Sequence, residues 1–131
     1  MLSRRILGSD VEAMHSIAKL GAKHVDYFAA KQGDPWTLTG DDRRSLARTA
    51  ENLGLVVSNV VSNMVMILPG NIASGDKQEL AECMDYVKAC LDLSKEIGGR
   101  QVLLAAGERV VGLSHGKAWG NAAFALKRIP W

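Results

Sequence analysis

Apolar positions along this chain alternate between two rhythms. Residues spaced three and four apart give way, after a glycine, to short runs of consecutive aliphatic residues. The change happens three times: at Gly21 before His24-Val25-Asp26-Tyr27, at Gly54 before Leu55-Val56-Val57, and at Gly98-Gly99 before Gln101-Val102-Leu103-Leu104. Helical spacing that closes on glycine and passes into an apolar run predicts helix, C-cap and strand in that order. The junctions lie 33 and then 44 residues apart. That length holds one helix, one link and one strand, the repeat of a parallel α/β protein.

The pattern predicts four helices. The first begins at Ser9, where Glu12 completes a capping box, and buries Val11, Met14, Ile17 and Ala18. The second is capped by Thr39 with Asp42, along a stripe of Leu46, Ala47, Ala50 and Leu53. Asp76 and Glu79 give a variant capping box to the third and longest, whose stripe is Leu80, Met84, Val87, Cys90, Leu91 and Ile97. A fourth starts near Ser114, with Trp119, Ala122, Ala123 and Leu126 as its apolar face. Strands are expected over 25–28, 55–61 and 101–106, the second apolar on both sides as a doubly covered strand requires. Residues 1–7 read at most as the remnant of a strand, interrupted by Ser3-Arg4-Arg5.

Composition narrows the partners. The 131 residues are 47% hydrophobic and 23% charged, with a net charge of +2, ordinary values for one globular domain. Arg4-Arg5 and Arg43-Arg44 are too small to form a basic patch, so no nucleic-acid partner is expected. No run approaches the length of a transmembrane helix, and no apolar stretch follows the first arginines as in a signal peptide. Neither membrane attachment nor export is expected, and the chain reads as cytoplasmic. Cys83 and Cys90 fall on one helix roughly 10 Å apart, too far for a disulfide, and read as buried thiols.

The succession of Leu20-Gly21-Ala22 before Val25-Asp26-Tyr27, Leu53-Gly54-Leu55-Val56-Val57-Ser58, Ile97-Gly98-Gly99 before Gln101-Val102-Leu103-Leu104-Ala105-Ala106-Gly107, and Ser114…Ala118-Trp119 resembles the xylose-isomerase-like TIM-barrel superfamily. These are the sugar phosphate isomerases and epimerases, and the resemblance covers residues 9–129. It implies that 1–131 is a partial domain, an incomplete (β/α)8 barrel with about three parallel strands and four helices, the amino-terminal half only. A closed barrel takes about 250 residues.

The family's chemistry is metal-assisted proton transfer beside a carbonyl. Its divalent metal is held by two glutamates, an aspartate and a histidine from strands five to eight. The resemblance therefore implies no catalytic residue, metal ligand or cofactor in this chain, and no activity in isolation. The alternative is a non-enzymatic truncated or split-barrel module. An open parallel sheet leaves two edges and an inner face, and such a chain would assemble with another copy or a second half-barrel.

Ligands of parallel α/β proteins sit at the carboxyl ends of the strands. Here those ends lead into loops 29–38, 59–74 and 105–113. Tyr27 and Trp36 can line a sugar or sugar-phosphate pocket, although Trp36 after Pro35 serves equally to pack its loop. Asn59, Ser62 and Asn63 can reach hydroxyls, and they also suit a turn. Glu108 is the best placed carboxylate; Asp26 is expected at a strand end beside an outward turn. His15, His24 and His115 are too scattered for a metal site. Met64, Met66, Ile67 and Leu68 read as core or interface. The chain has no phosphate-binding loop, dinucleotide fingerprint, C-x-x-C or serine elbow, nor the acidic strand-end cluster of a flavodoxin-like regulator.

Overall fold

The computed structural model describes residues 9–30, 33–62, 71–105 and 110–129. The elements run α1 (Asp10–Lys19), β1 (His24–Ala29), α2 (Gly40–Asn52), β2 (Val56–Ser62), α3 (Lys77–Glu96), β3 (Gln101–Leu103) and α4 (His115–Leu126). The strands form one parallel sheet in the order β1-β2-β3. The chain is an α/β protein.

Side-chain caps decide where the helices begin. The Ser9 hydroxyl accepts from the Glu12 N–H, and the Ser9 N–H donates to the Glu12 carboxylate at 2.7 Å. Thr39 and Asp42 repeat the arrangement, with the Thr39 N–H donating at 2.9 Å. Each pair satisfies donors that a helix start leaves open. The Ser9 N–H, then its hydroxyl, holds the Glu12 carboxyl below its ordinary pKa; the Thr39 hydroxyl, then its N–H, does so for Asp42. At α3 the box is only half made. Asp76 accepts from the N–H groups of Gln78 and Glu79, but its own N–H donates to Ser74 Oγ, two residues away, instead of to Glu79. Ser114 caps α4.

The three junction glycines, Gly21, Gly54 and Gly98, have φ of +85°, +64° and +76°. A side chain with a Cβ pays about 1–2 kcal/mol in that region, so glycine is what lets each helix stop and turn into its link.

Register separates the two faces of the sheet. Val25 pairs with Val57, but Asp26 pairs with Asn59, so Ser58 is an extra residue in β2. This bulge shifts the alternation by one residue. Val60 rather than Asn59 then turns inward beside Tyr27. Val25, Tyr27, Ala29, Val57, Val60 and Val102 pack with Met14 of α1, Leu46 and Ala50 of α2, Cys83, Tyr86, Val87, Cys90 and Leu93 of α3, and Ala125 of α4 in a single core. His24, Asp26, Phe28, Asn59, Val61, Gln101 and Leu103 stay outside it. Phe28 is 36% exposed and Leu103 is 50% exposed.

Three expectations are corrected here. Among the described residues β2 is packed by helices on one face only: Val57 and Val60 are buried, whereas Val56 and Val61 are half-buried. Parallel crossovers keep one hand, so connections that step through adjacent strands in one direction deliver every helix to the same side. β3 spans three residues instead of six, because Leu103 already pairs with Val61, one residue before β2 ends. Trp119 is not on the apolar face of α4 but 72% exposed. That helix instead seats Ala122, Ala125 and Leu126, small enough at its centre for Asn121 to donate to the Ala73 carbonyl at 3.0 Å. The expected remnant strand over 1–7, the apolar run Met64 to Leu68 and position 106 lie outside the described residues.

Cys83 and Cys90 are free and buried. Burial pushes the Cys83 thiol up to about 11 and the Cys90 thiol up to about 12. Among the described residues, no helix is long and apolar enough to cross a membrane.

Candidate functional site

The carboxyl end of β1 leads to a rim loop built around one buried carboxylate. Asp34 is 4% exposed. Its Oδ1 accepts from the Trp36 N–H at 2.8 Å, and its backbone carbonyl accepts from the N–H groups of Thr37 and Leu38. The first of these is an Asx turn, set up by the Asp34-Pro35 pair. Asp34 Oδ2 lies 3.3 Å from the Tyr86 hydroxyl, which is also 3.1 Å from the Ala29 carbonyl oxygen. The Trp36 ring stands edge-on to Tyr86, 4.9 Å between centroids, and remains 51% exposed. Arg43 straps the loop from outside, donating to the Pro35 carbonyl and, at 3.2 Å, to Glu96. The rim is thus held by α2 and α3 together.

Below the rim, the open face carries two rows. Asp26, Asn59 and Gln101 lie side by side in register, and Phe28, Val61 and Leu103 form the next row towards the carboxyl ends. Asn59 Nδ2 donates to Asp26 Oδ1 at 2.7 Å. His24 Nδ1 lies 3.2 Å from the Ser58 hydroxyl, the extra residue of the bulge. None of the three strands contains Lys or Arg. A carboxylate beside two carboxamides offers acceptors and donors to hydroxyl groups.

The candidates from the sequence are dispersed by this geometry. Tyr27 faces the helices, 5% exposed, with its hydroxyl donating to Asp10 at 2.7 Å; a solute on the open face does not meet it. Trp36 is on the rim, both packing the loop and offering an exposed ring. Asn59 is on the open face. Asp26 is not beside an outward turn but within β1, facing Asn59. Asn63 and Glu108 lie outside the described residues. His15 and His115 are exposed on α1 and at the start of α4.

Sequence reasoning missed Asp34, Tyr86 and Gln101. The Asp-Pro turn signal was available for the first. The other two needed the pairing of distant elements. Ser62, at the carboxyl end of β2, is 4% exposed, and its hydroxyl has no hydrogen-bond partner among the described residues.

A shallow cleft of about 290 Å³ lies between the starts of α1 and α2, lined by Ser9, Asp10, Leu38, Asp42 and Ser45 among others. Its two carboxylates are already engaged, Asp10 by Tyr27 and Asp42 by Thr39. No three His, Cys, Asp or Glu side chains converge among the described residues. No known protein family matches this chain, and no curated protein is significantly similar to it in sequence.

Proposed function

We propose that this chain is an incomplete (β/α)8 barrel of the xylose-isomerase-like kind, a sugar isomerase/epimerase-family protein that turns over substrate only when further strands complete it. One observation carries the reading: parallel strands in sequential order have every helix on one side and a face with Phe28 and Leu103 on the other. A doubly wound sheet carries helices on both faces only where its strand order reverses, and the three described strands step in one direction without a reversal. In a closed barrel the open face turns inward, and the carboxyl rim with Trp36 borders the ligand. The row of Asp26, Asn59 and Gln101, with a carboxylate that repels a phosphate and accepts from hydroxyls, favours a neutral polyhydroxyl compound over a phosphorylated one. This chain's residues bind and orient in that scheme. The proton transfer belongs to groups outside them.

The second reading is a split-barrel module that works by assembly, non-enzymatic by itself. Among the described residues β1 and β3 are the two edges of the sheet, which favours it. The mass of the polypeptide as its host makes it separates the two. About 30 kDa, the size of a closed barrel of some 250 residues, together with deuterium exchange beside a sugar carbonyl, supports the isomerase. A 14.1 kDa chain that oligomerises supports the module. A 14.1 kDa monomer with a cooperative melt overturns both.

A further inference from the structure

The outer face of α4 is unlike the rest of the surface. Trp119 is 72% exposed and Phe124 is 53% exposed. At about 100° per residue, they stand on either side of Gly116 and Gly120, where an added Cβ would meet nothing. Two aromatic rims therefore flank a strip of Gly116, Gly120 and Ala123, ending at Lys127, where a partner can approach the helix backbone.

The charge of this face is one-sided. Lys117, Lys127 and Arg128 lie on α4 and its last turn, and residues 110–129 contain no Asp or Glu. The whole chain carries only +2, so this short segment holds more than its entire positive excess. Arg128 sits 4.2 Å over the Phe124 ring, leaving its charge at the edge of the strip.

We infer that this face binds an acidic amphipathic helix of a protein partner, its apolar ridge lying over Gly116 and Gly120 and its carboxylates meeting Lys117, Lys127 and Arg128. Charge selects this occupant over a second copy, because α4 against α4 sets three cations against three with no acid between them. Shape selects it over an anionic bilayer. A helix that inserts into lipid needs bulky apolar side chains at the centre of its face, and here the centre is glycine and alanine with Lys127 at its end. The inference stands on α4 alone and does not depend on the barrel reading.

Two synthetic 20-residue helical peptides test it on the full chain. Both carry the same Leu/Ala stripe, flanked in one by Glu and in the other by Lys. The Glu peptide shifts tryptophan emission to the blue in a saturable way, and its affinity falls at least tenfold between 0.05 and 0.5 M salt, roughly as screening requires. The shift disappears in Trp119→Phe, which assigns it. Gly120→Leu weakens binding at least tenfold. Leucine is the better helix former, so this loss does not come from unfolding. Equal binding of the two peptides, unchanged binding by Gly120→Leu, or no binding of the Glu peptide overturns the inference. So does an emission shift with 3:1 phosphatidylcholine/phosphatidylglycerol vesicles in the absence of peptide binding.

Discussion

The Tyr86 hydroxyl of α3 lies 3.3 Å from the Asp34 carboxylate, and both residues are buried. They are 52 residues apart in the chain. The same hydroxyl is within 3.1 Å of the Ala29 carbonyl at the end of β1. One phenol therefore ties a helix, a strand end and the rim loop at a single point.

Tyr86→Phe removes that tie while keeping the ring and its edge contact with Trp36. It leaves a buried carboxylate with one fewer partner, so a loss of about 1–3 kcal/mol is expected. Chemical denaturation measures it. The Trp36 emission should also move to the red as the rim loosens. A loss below about 0.5 kcal/mol would mean that the bond contributes nothing net.

Ser62→Ala takes away a buried hydroxyl that has no partner among the described residues. The desolvation cost disappears with it, so stability should stay level or rise by up to about 1 kcal/mol. A loss above about 1 kcal/mol in the same melt would reveal a bond to this hydroxyl.

The two capping boxes predict a common response to acid. Glu12 and Asp42 titrate lower in the folded chain than in the unfolded one, so the unfolded state takes up protons first as pH falls. Their contribution is full above the ordinary carboxylate pKa values of 4.5 and 3.8 and is lost below them. Thr39→Ala should cost about 1 kcal/mol at pH 7. The variant's stability should also fall less steeply than the parent's between pH 5 and 3.

At high pH the cysteines act in the opposite sense. Their folded values of about 11 and 12 exceed the ordinary 9.0. The unfolded chain loses those protons first, and stability declines as pH rises above 9. Replacing both with alanine should flatten the decline. In the native protein, a thiol reagent at pH 8 should label neither cysteine until denaturant is added.

Leu103→Glu tests the open face directly. A half-exposed position on an uncovered face should tolerate the change within about 0.5 kcal/mol. A loss of several kcal/mol would mean that another element covers the sheet in the protein as prepared.

Helix starts and stops were legible because their causes are local. Ser9 with Glu12, Thr39 with Asp42, and a glycine after the last apolar turn act over three or four residues, and the structure has each of them in place. The buried stripe of α3 was equally legible, since its period is a property of one helix.

What tertiary structure alone decided is which face each strand residue took and what stood opposite it. The insertion of Ser58 turned Asn59 outward beside Asp26 and Val60 inward beside Tyr27, a choice made by pairing with β1 and invisible in β2 alone. Tyr27, a pocket candidate by its position in the chain, went to the helix side, because alternation along β1 buries it against α1. Trp119 was left exposed because α4 seated its alanines against the core instead. Local spacing fixes periodicity, but a one-residue change of register moves every later side chain to the other side of a sheet. Only contact between distant elements sets that register.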